Sequence, residues 1–326
     1  MIASYGANKT FRMLDLFEKF SRGSLINKQQ IAAYYHVTEK SIQRDIADLN
    51  EYFSLQSNSD CKILYSPKEK GYRLLNRSNA FLSDSDIFAL IKVLLESRAF
   101  SATEMKRIIS TFLNQCNDKE SIKKAVQNEL CYYVPPRHGK DIIDFIWKIA
   151  SSIHHSQYAV VTYQRQDGIT KEHRLKPLGL IFSEYYFYLV AEICDLEKDQ
   201  PAVFRVDRFQ SYCATEEHFN ISYKDRFEES EFHKRIHFMY PGQLIHLQFK
   251  FWGGSLEAVL DRIPTARVVG YDGEKAIIEA EVYDRGIIMW LLSQMEFLEV
   301  TKPKSLRIKM ANTIKKMGKL YEENST

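Results

Sequence analysis

Along the first half of the chain apolar residues return every three or four positions; from about residue 158 they return at every second one, so helices are expected to give way to strands. Phe11, Leu14, Phe17 and Phe20 keep helical spacing up to Ser21-Arg22-Gly23-Ser24, where Gly23 supplies a left-handed stop. A second helix is predicted from Asn27, with Gln30 three residues on as a capping box and Ile31 turned inward. A tight turn through His36-Val37 leads to Thr38, whose hydroxyl caps a third helix bearing Ile42, Ile46 and Leu49. Two short strands, Lys62 to Ser66 and Gly71 to Leu75, follow, joined by the basic turn Pro67-Lys68-Glu69-Lys70. Ser83-Asp84-Ser85-Asp86 is an acidic, cap-rich helix start. The apolar residues between Ile87 and Ser97 crowd most of a helical circumference, which predicts burial on more than one side. Two further helices carry Ile108, Ile109 and Phe112, then Ile122, Val126 and Leu130, and Pro135-Pro136-Arg137-His138-Gly139 marks a boundary.

A helix from Asp141 to about Ser156, with Ile142, Phe145, Ile146, Ile149 and Ile153 inward, opens the second half. Strands are predicted at Tyr158 to Tyr163, Thr170 to Lys176, Leu178 to Phe182, Tyr186 to Ile193, Ala202 to Val206 and Tyr212 to Thr215. One helix and several short strands at close intervals predict a small, strongly bent β-barrel. Next come a strand at Leu244 to Phe251, a helical stripe of Leu256, Val259, Leu260 and Ile263, and two strands flanking Tyr271-Asp272-Gly273. A helix with Ile287, Ile288, Leu291 and Leu292 and a strand at Phe297 to Thr301 complete the split βαβ order of a ferredoxin-like domain. A closing helix sets Met310, Ile314, Met317 and Tyr321 on one face.

Composition narrows this picture. A chain of 326 residues predicts more than one core. No apolar run approaches the roughly 18 residues of a spanning helix, and the N-terminus lacks the basic-then-apolar plan of a secretory signal. A cytoplasmic protein that does not engage membranes is expected. Cys61, Cys116, Cys131, Cys194 and Cys213 have neither zinc nor redox spacing and read as free thiols. The net charge is only +3, but residues 1–80 hold twelve Lys or Arg against eight Asp or Glu. Basic character is concentrated at the N-terminal end.

That concentration bears on the third helix. A helix lying in the major groove of DNA needs donors near its N-terminal end, and Thr38, Lys40, Ser41, Gln43 and Arg44 supply them. Lys28, Lys68, Lys70 and Arg73 are placed to neutralise phosphates. The plainer alternative is a solvated face of a small helical domain. The run from Ile31 to Leu49, with Ser41-Ile42-Gln43-Arg44-Asp45-Ile46, is similar to the helix-turn-helix of DeoR-type winged-helix regulators. That resemblance implies double-stranded operator DNA as a partner. A homodimer reading paired half-sites is expected, with the helices of residues 81–140 as connector or dimerisation element.

In the stretch from Tyr185 to Arg208, alternation places Phe204 and Val206 on one face of a strand and Arg205 on the other. Tyr163, Arg174, Tyr188, Arg205 and Arg208, with His173 nearby, form a cationic and aromatic set. Arginine forks suit phosphates, and tyrosines stack on bases. The set points to a nucleotide, an oligonucleotide or single-stranded nucleic acid as effector. The field is focal, since residues 157–214 hold seven Lys or Arg against eight Asp or Glu. Strict alternation puts Arg208 opposite Arg205 unless the chain bends at Asp207, and it separates His173 from Arg174. The structural alternative has Arg205 and Arg208 bridging to Asp207 or Glu192 while the tyrosines pack the barrel.

Phe187-Tyr188-Leu189 and Arg174-Leu175-Lys176-Pro177-Leu178-Gly179-Leu180 resemble the core of the WYL domain, a sensor module of bacterial regulators named for Trp-Tyr-Leu. Phe187, sharing a face with Leu189, reads as a core substitution for the tryptophan. The resemblance covers roughly residues 141–215. It implies an Sm-like barrel whose matching tyrosine and arginine positions line an effector site, and the C-terminal layout resembles the extension that often accompanies WYL domains.

Enzymatic motifs are weak. His154-His155 ends an amphipathic helix without a carboxylate at metal-ligand spacing, and no phosphate-loop Lys-Ser/Thr pair follows Gly253-Gly254. No catalytic residue, metal or cofactor is expected. The predicted fold class is α+β multidomain, with a winged helix-turn-helix over 1–80, the connector over 81–140, the Sm-like sensor over 141–240 and a ferredoxin-like extension over 241–326. The expected function is a DNA-binding transcriptional regulator with an effector-sensing WYL-like domain. The alternative is a nucleic-acid sensor controlling a phage-defence or DNA-repair system, with the barrel itself holding single-stranded DNA or RNA.

Overall fold

The computed structural model describes residues 8–21, 23–55, 62–75, 82–196, 201–220 and 227–322. The chain is a mixed α+β protein that divides into two compact units, Met1–Pro135 and Pro136–Thr326.

The first unit opens with α1 (Lys9–Ser21), α2 (Lys28–Tyr35), α3 (Glu39–Leu55), β1 (Lys62–Ser66) and β2 (Gly71–Leu75). Gly23 takes φ 75° past the end of α1, and the Ser24 amide donates to the Lys19 carbonyl, so the glycine stop forms as its lack of a Cβ allows. The Asn27 side chain accepts from the amides of Gln29 and Gln30 and thereby caps α2. Leu16, Phe20, Ile26, Ile42, Ile46, Leu49, Phe53 and Ile63 form one core, which fixes α3 by its apolar stripe and leaves the other face outward. Ile26 also pairs with Tyr72 as an isolated antiparallel bridge beside the β1–β2 hairpin.

Three helices follow: α4 (Asp84–Ser97), α5 (Ala102–Leu113) and α6 (Lys119–Cys131). Ser83 and Asp86 form a reciprocal capping box at the start of α4. Asp84 accepts from the amides of Asn117 and Asp118, tying the α5–α6 turn to it. Within this unit α4 buries Ile87, Ile91 and Leu95, one stripe at i, i+4 and i+8, while Phe88, Leu90 and Val93 are exposed. Within this chain α5 and α6 cover one side of α4, with Leu94 half-buried at its edge, and Phe88, Leu90 and Val93 are left exposed on the others.

The second unit begins with α7 (Ile143–His154) and a sheet of β3 (Gln157–Gln164), β4 (Thr170–Ser183), β5 (Tyr186–Ile193), β6 (Ala202–Arg205) and β7 (Phe209–His218). The two strands expected around Pro177 are a single strand, β4, with a register shift between Pro177 and Gly179 against β5. Proline lacks the ladder donor, so the sheet bulges there instead of ending. The strand order is β6-β5-β4-β3-β7. A single 3-10 turn, Val206–Arg208, connects β6 to β7 although they lie at opposite ends of that order. Three residues bridge the two edges only if the sheet curls on itself. Tyr163, Phe204 and Phe209 pack ring against ring inside the curl.

After α8 (Glu229–Arg235), which the sequence pattern did not announce, come β8 (Leu244–Phe251), α9 (Leu256–Arg262), β9 (Arg267–Asp272) and β10 (Lys275–Tyr283). Then α10 (Asp284–Ser293), β11 (Leu298–Lys302) and α11 (Lys304–Glu322) close the chain. The sheet order is β11-β8-β10-β9, and every neighbouring pair is antiparallel. Leu247, Phe249 and Phe251 of β8 face the helices Val259 and Leu291 belong to, which makes one two-layer core. Only Leu306 and Met310 of α11 are buried, while Ile314 and Met317 are exposed, so the closing helix's apolar stripe is covered at its first turns alone.

Candidate functional site

Two faces carry the residues singled out from sequence, one in each unit. On the first, Thr38 Oγ1 accepts from the Ser41 amide at 3.2 Å and lies 2.9 Å from the Ser41 hydroxyl. Thr38 and Ser41 are therefore occupied as the cap of α3. Lys40, Gln43 and Arg44 are exposed just beyond that cap. Lys28 is 3.3 Å from Glu39, and Arg73 is 3.3 Å from Glu69, so each cation shares its charge with a neighbouring carboxylate. Lys68 and Lys70 are exposed in the β1–β2 turn, and the Lys70 carbonyl accepts from Asn27 Nδ2 at 3.1 Å. The same asparagine thus caps α2 and holds the turn.

Sequence reasoning missed what anchors this face. Asp45, inside the helix that bears the donors, is buried and takes two hydrogen bonds from Arg12 of α1, at 2.5 and 3.2 Å. Asn50 Oδ1 accepts from the Ile63 amide at 2.8 Å and fixes β1 against α3. No periodicity reports a pair 33 residues apart. An arginine on the otherwise apolar face of α1 was the available signal.

The second face lies on β5 and β6. Tyr188 pairs in register with Arg205, so their side chains share a face of the sheet. The Arg205 guanidinium donates to both oxygens of Asp207, at 3.0 and 2.8 Å, and stacks 3.4 Å from the centroid of the Tyr186 ring. Burial acts to lower the Arg205 pKa, but the Asp207 hydrogen bonds and charge outweigh it, and the net direction is up. Burial also pushes Tyr188 up to about 12, so its phenol keeps its proton, and its capacity to donate, at neutral pH. Tyr163 is buried, and its hydroxyl accepts from the Arg205 amide at 3.3 Å, supporting the strand from behind. His138, from the turn before α7, sets its ring 6.3 Å from Tyr186. Its Nδ1 accepts from the Lys140 amide at 3.1 Å, which favours the tautomer with its proton on Nε2, and burial lowers its pKa below the ordinary value.

The other predicted members lie apart from this cluster. Arg174 pairs with Glu217 at 2.6 Å and lies over the Tyr158 ring at 4.8 Å. His173 is half-buried with its ring 5.9 Å from Phe204. The chain does bend at Asp207, through the 3-10 turn, and Arg208 lines a shallow depression with Tyr163, Arg165, Gln166 and Asp167. Of the structural pairings weighed from sequence, Arg205 with Asp207 forms, while Glu192 pairs with Lys176. Phe187 is half-buried and packs on Phe182, its cross-strand partner on β4, at 5.0 Å. The reading of Phe187 as core is corrected: alternation gives it the face of Leu189, but at this end of the sheet that face is partly open. Tyr186 was legible in principle, since period two sets it beside Tyr188. His138 gave no signal.

Among the described residues no group of three or more His, Cys, Asp or Glu is arranged to hold a metal, and no helix is long and apolar enough to cross a membrane. Cys116 is buried and Cys131, Cys194 and Cys213 are exposed, all as free thiols, while Cys61 lies outside the described residues.

Residues 144–214 match the family model of the WYL domain, so α7 and the curled sheet are a WYL domain. No curated protein matches the chain. Among solved structures, the proteasome accessory factor B/C (PafBC) of Arthrobacter aurescens is similar at 17% identity, with a TM-score of 0.28. That match covers 92% of this chain, which spans 45% of the length of the PafBC chain. A crystal structure of a CRISPR Cas-related protein is similar at 12% identity, with a TM-score of 0.39, over 100% of this chain and 86% of that one.

Proposed function

We propose that this chain is a cytoplasmic, homodimeric, DNA-binding transcription regulator whose WYL domain senses a nucleotide, an oligonucleotide or single-stranded nucleic acid. Residues 1–80 act as a winged helix-turn-helix, 81–140 as the connector and dimerisation element, 141–240 as an Sm-like sensor and 241–326 as a ferredoxin-like extension. The protein binds and switches; it catalyses nothing. The observation that carries the reading is the N-terminal part of α3, where Lys40, Gln43 and Arg44 are exposed while Ile42, Asp45, Ile46 and Leu49 lock the helix from behind. Rigid backing with free donors at one end is what a recognition helix needs in a major groove. Lys68 and Lys70 are exposed on the hairpin turn, which supports the reading that they meet phosphates.

In the sensor, Arg205 offers a guanidinium fork beside the Tyr188 hydroxyl, a combination suited to an anion attached to an aromatic base. An effector alters operator binding only by its differential affinity for two arrangements of the dimer. The test is a gel shift with a duplex that the wild-type protein selects from a random library. Arg44→Ala is expected to lose the duplex and Arg205→Ala to keep it while losing the response to effector. Equal affinity of Arg44→Ala and wild type would sink the DNA-binding half.

A further inference from the structure

We propose that Asp207 is a specificity-determining gate of the effector site. Its carboxylate occupies the fork of Arg205 as an internal stand-in for the ligand's anionic group, so binding is an exchange at Arg205 and not the capture of a free cation. The inference rests on the reading of Arg205 as an effector residue.

The geometry has three parts. Asp207 takes both of its bonds from one edge of the guanidinium, Nε at 3.0 Å and Nη2 at 2.8 Å, the same bidentate pattern that an arginine offers to a phosphate. The carboxylate is 6% exposed while the arginine side chain is 22% exposed, so the anion is the more deeply buried partner and the cation the more accessible one. The two residues are two positions apart across the 3-10 turn between β6 and β7, which keeps the carboxylate at hand whenever the fork is empty. Tyr186, stacked at 3.4 Å, fixes the plane in which any exchange takes place.

Two consequences follow for the ligand. The Arg205–Asp207 pair is electrically neutral, so the site exerts little standing attraction, and an incoming anion has to win the fork from a tethered competitor. A phosphodiester brings one charge, as Asp207 does, and gains nothing by the exchange. A terminal phosphomonoester carries about −1.5 to −2 at neutral pH with three acceptor oxygens, and it gains. Displacement also strands a buried carboxylate, a cost charged against every ligand's affinity. Asp207 thereby selects for a terminal phosphate and holds the affinity of all other anions down. The turn that Asp207 must vacate also carries Arg208, so exchange loosens the residue that lines the adjacent depression with Tyr163 and Arg165.

The test uses the full chain and two oligothymidylates with 3′ fluorescein, alike except for a 5′ phosphate or a 5′ hydroxyl, followed by anisotropy. Wild type is expected to prefer the phosphorylated probe. Asp207→Asn is expected to bind the hydroxyl probe roughly tenfold more tightly than wild type, the size of one charge-assisted hydrogen bond, and to narrow the preference. In the Arg205→Ala background the gain from Asp207→Asn should vanish, because the two substitutions act through one bond. Equal or weaker binding by Asp207→Asn, or no binding at all, overturns the gate. So does a gain that persists without Arg205, which would be a general effect of removing a negative charge. Equal binding of the two probes by wild type overturns the selection for a terminal phosphate. Unchanged binding of both probes by Arg205→Ala instead strikes the reading of the site itself. Circular dichroism checks folding, and if Asp207→Asn fails to fold, Asp207→Ser carries the same expectation.

Discussion

The two faces of this protein deploy the same cation in opposite ways. At the start of α3, Arg44 and Lys40 stand exposed, while Asp45, the one buried acid of the helix's four, is turned inward and matched by Arg12. In the WYL domain, Arg205 of β6 is matched by Asp207, and on β4 Arg174 is matched by Glu217 and Lys176 by Glu192. Under the proposed function, an extended polyanion with many phosphates would be met by the exposed charges of Lys40, Arg44, Lys68 and Lys70. Under the proposed reading, a small or terminal anion would be met by an arginine whose position is already fixed, so that shape and exchange would decide what binds. The internal acid is therefore spent on helix position in one unit and on the cation itself in the other.

Breaking the first arrangement has the largest expected effect. Arg12→Ala or Asp45→Ala leaves a buried charge without its partner and should cost about 3–5 kcal/mol, enough to melt the first unit well before the second in urea, followed by tryptophan-independent circular dichroism. Next in size, Arg44→Ala should lose about 1–3 kcal/mol of operator affinity and relax sequence preference at one position, read by binding to a panel of single-base variants. Lys68→Ala or Lys70→Ala should weaken binding evenly across that panel and lower the salt slope by about one.

The second unit also predicts a pH effect, through buried histidines. His237 is buried, and burial lowers its pKa below the ordinary 6.5, as it does for His138. The unfolded chain therefore binds protons that the folded chain refuses, so stability is complete above pH 6.5 and declines as the pH falls toward the lowered values. Thermal melts between pH 7.5 and 5 should show that loss in the second unit, with a shallower slope in His237→Gln. Smallest of all, Phe187→Trp should change stability by less than about 1 kcal/mol, because Phe187 is half-buried against Phe182 and has room to grow outward.

Much of the scaffold was legible because burial imposes a period. Ile42, Ile46 and Leu49 announce the inner face of α3, and the structure buries all three. Caps were equally local: Ser83 and Asp86 close their box within three residues, as their identities suggest. What escaped is what joins distant segments or depends on one proline. Arg12 meets Asp45 across the first core, and His138 reaches Tyr186 from a turn outside the sheet. Pro177 invites a strand break, yet β4 continues through a bulge because β5 pairs with it on either side. The residues expected from sequence to line an effector site divided for the same reason. Period two put Tyr188 and Arg205 together once their strands were paired, but the pairing of β4 with β3 sets Arg174 diagonally against Tyr158, and the 3-10 turn carries Arg208 into a separate depression.

The central claim is that the exposed end of α3 reads double-stranded DNA as part of a symmetric dimer. In vitro selection from a random duplex library, sequenced for wild type and for Arg44→Ala, tests it most directly. Wild type should enrich an inverted repeat with half-sites about 10 base pairs, or a multiple of that, apart, and Arg44→Ala should lose the motif. A wild-type pool no different from its input, or a motif that survives Arg44→Ala unchanged, would contradict the account.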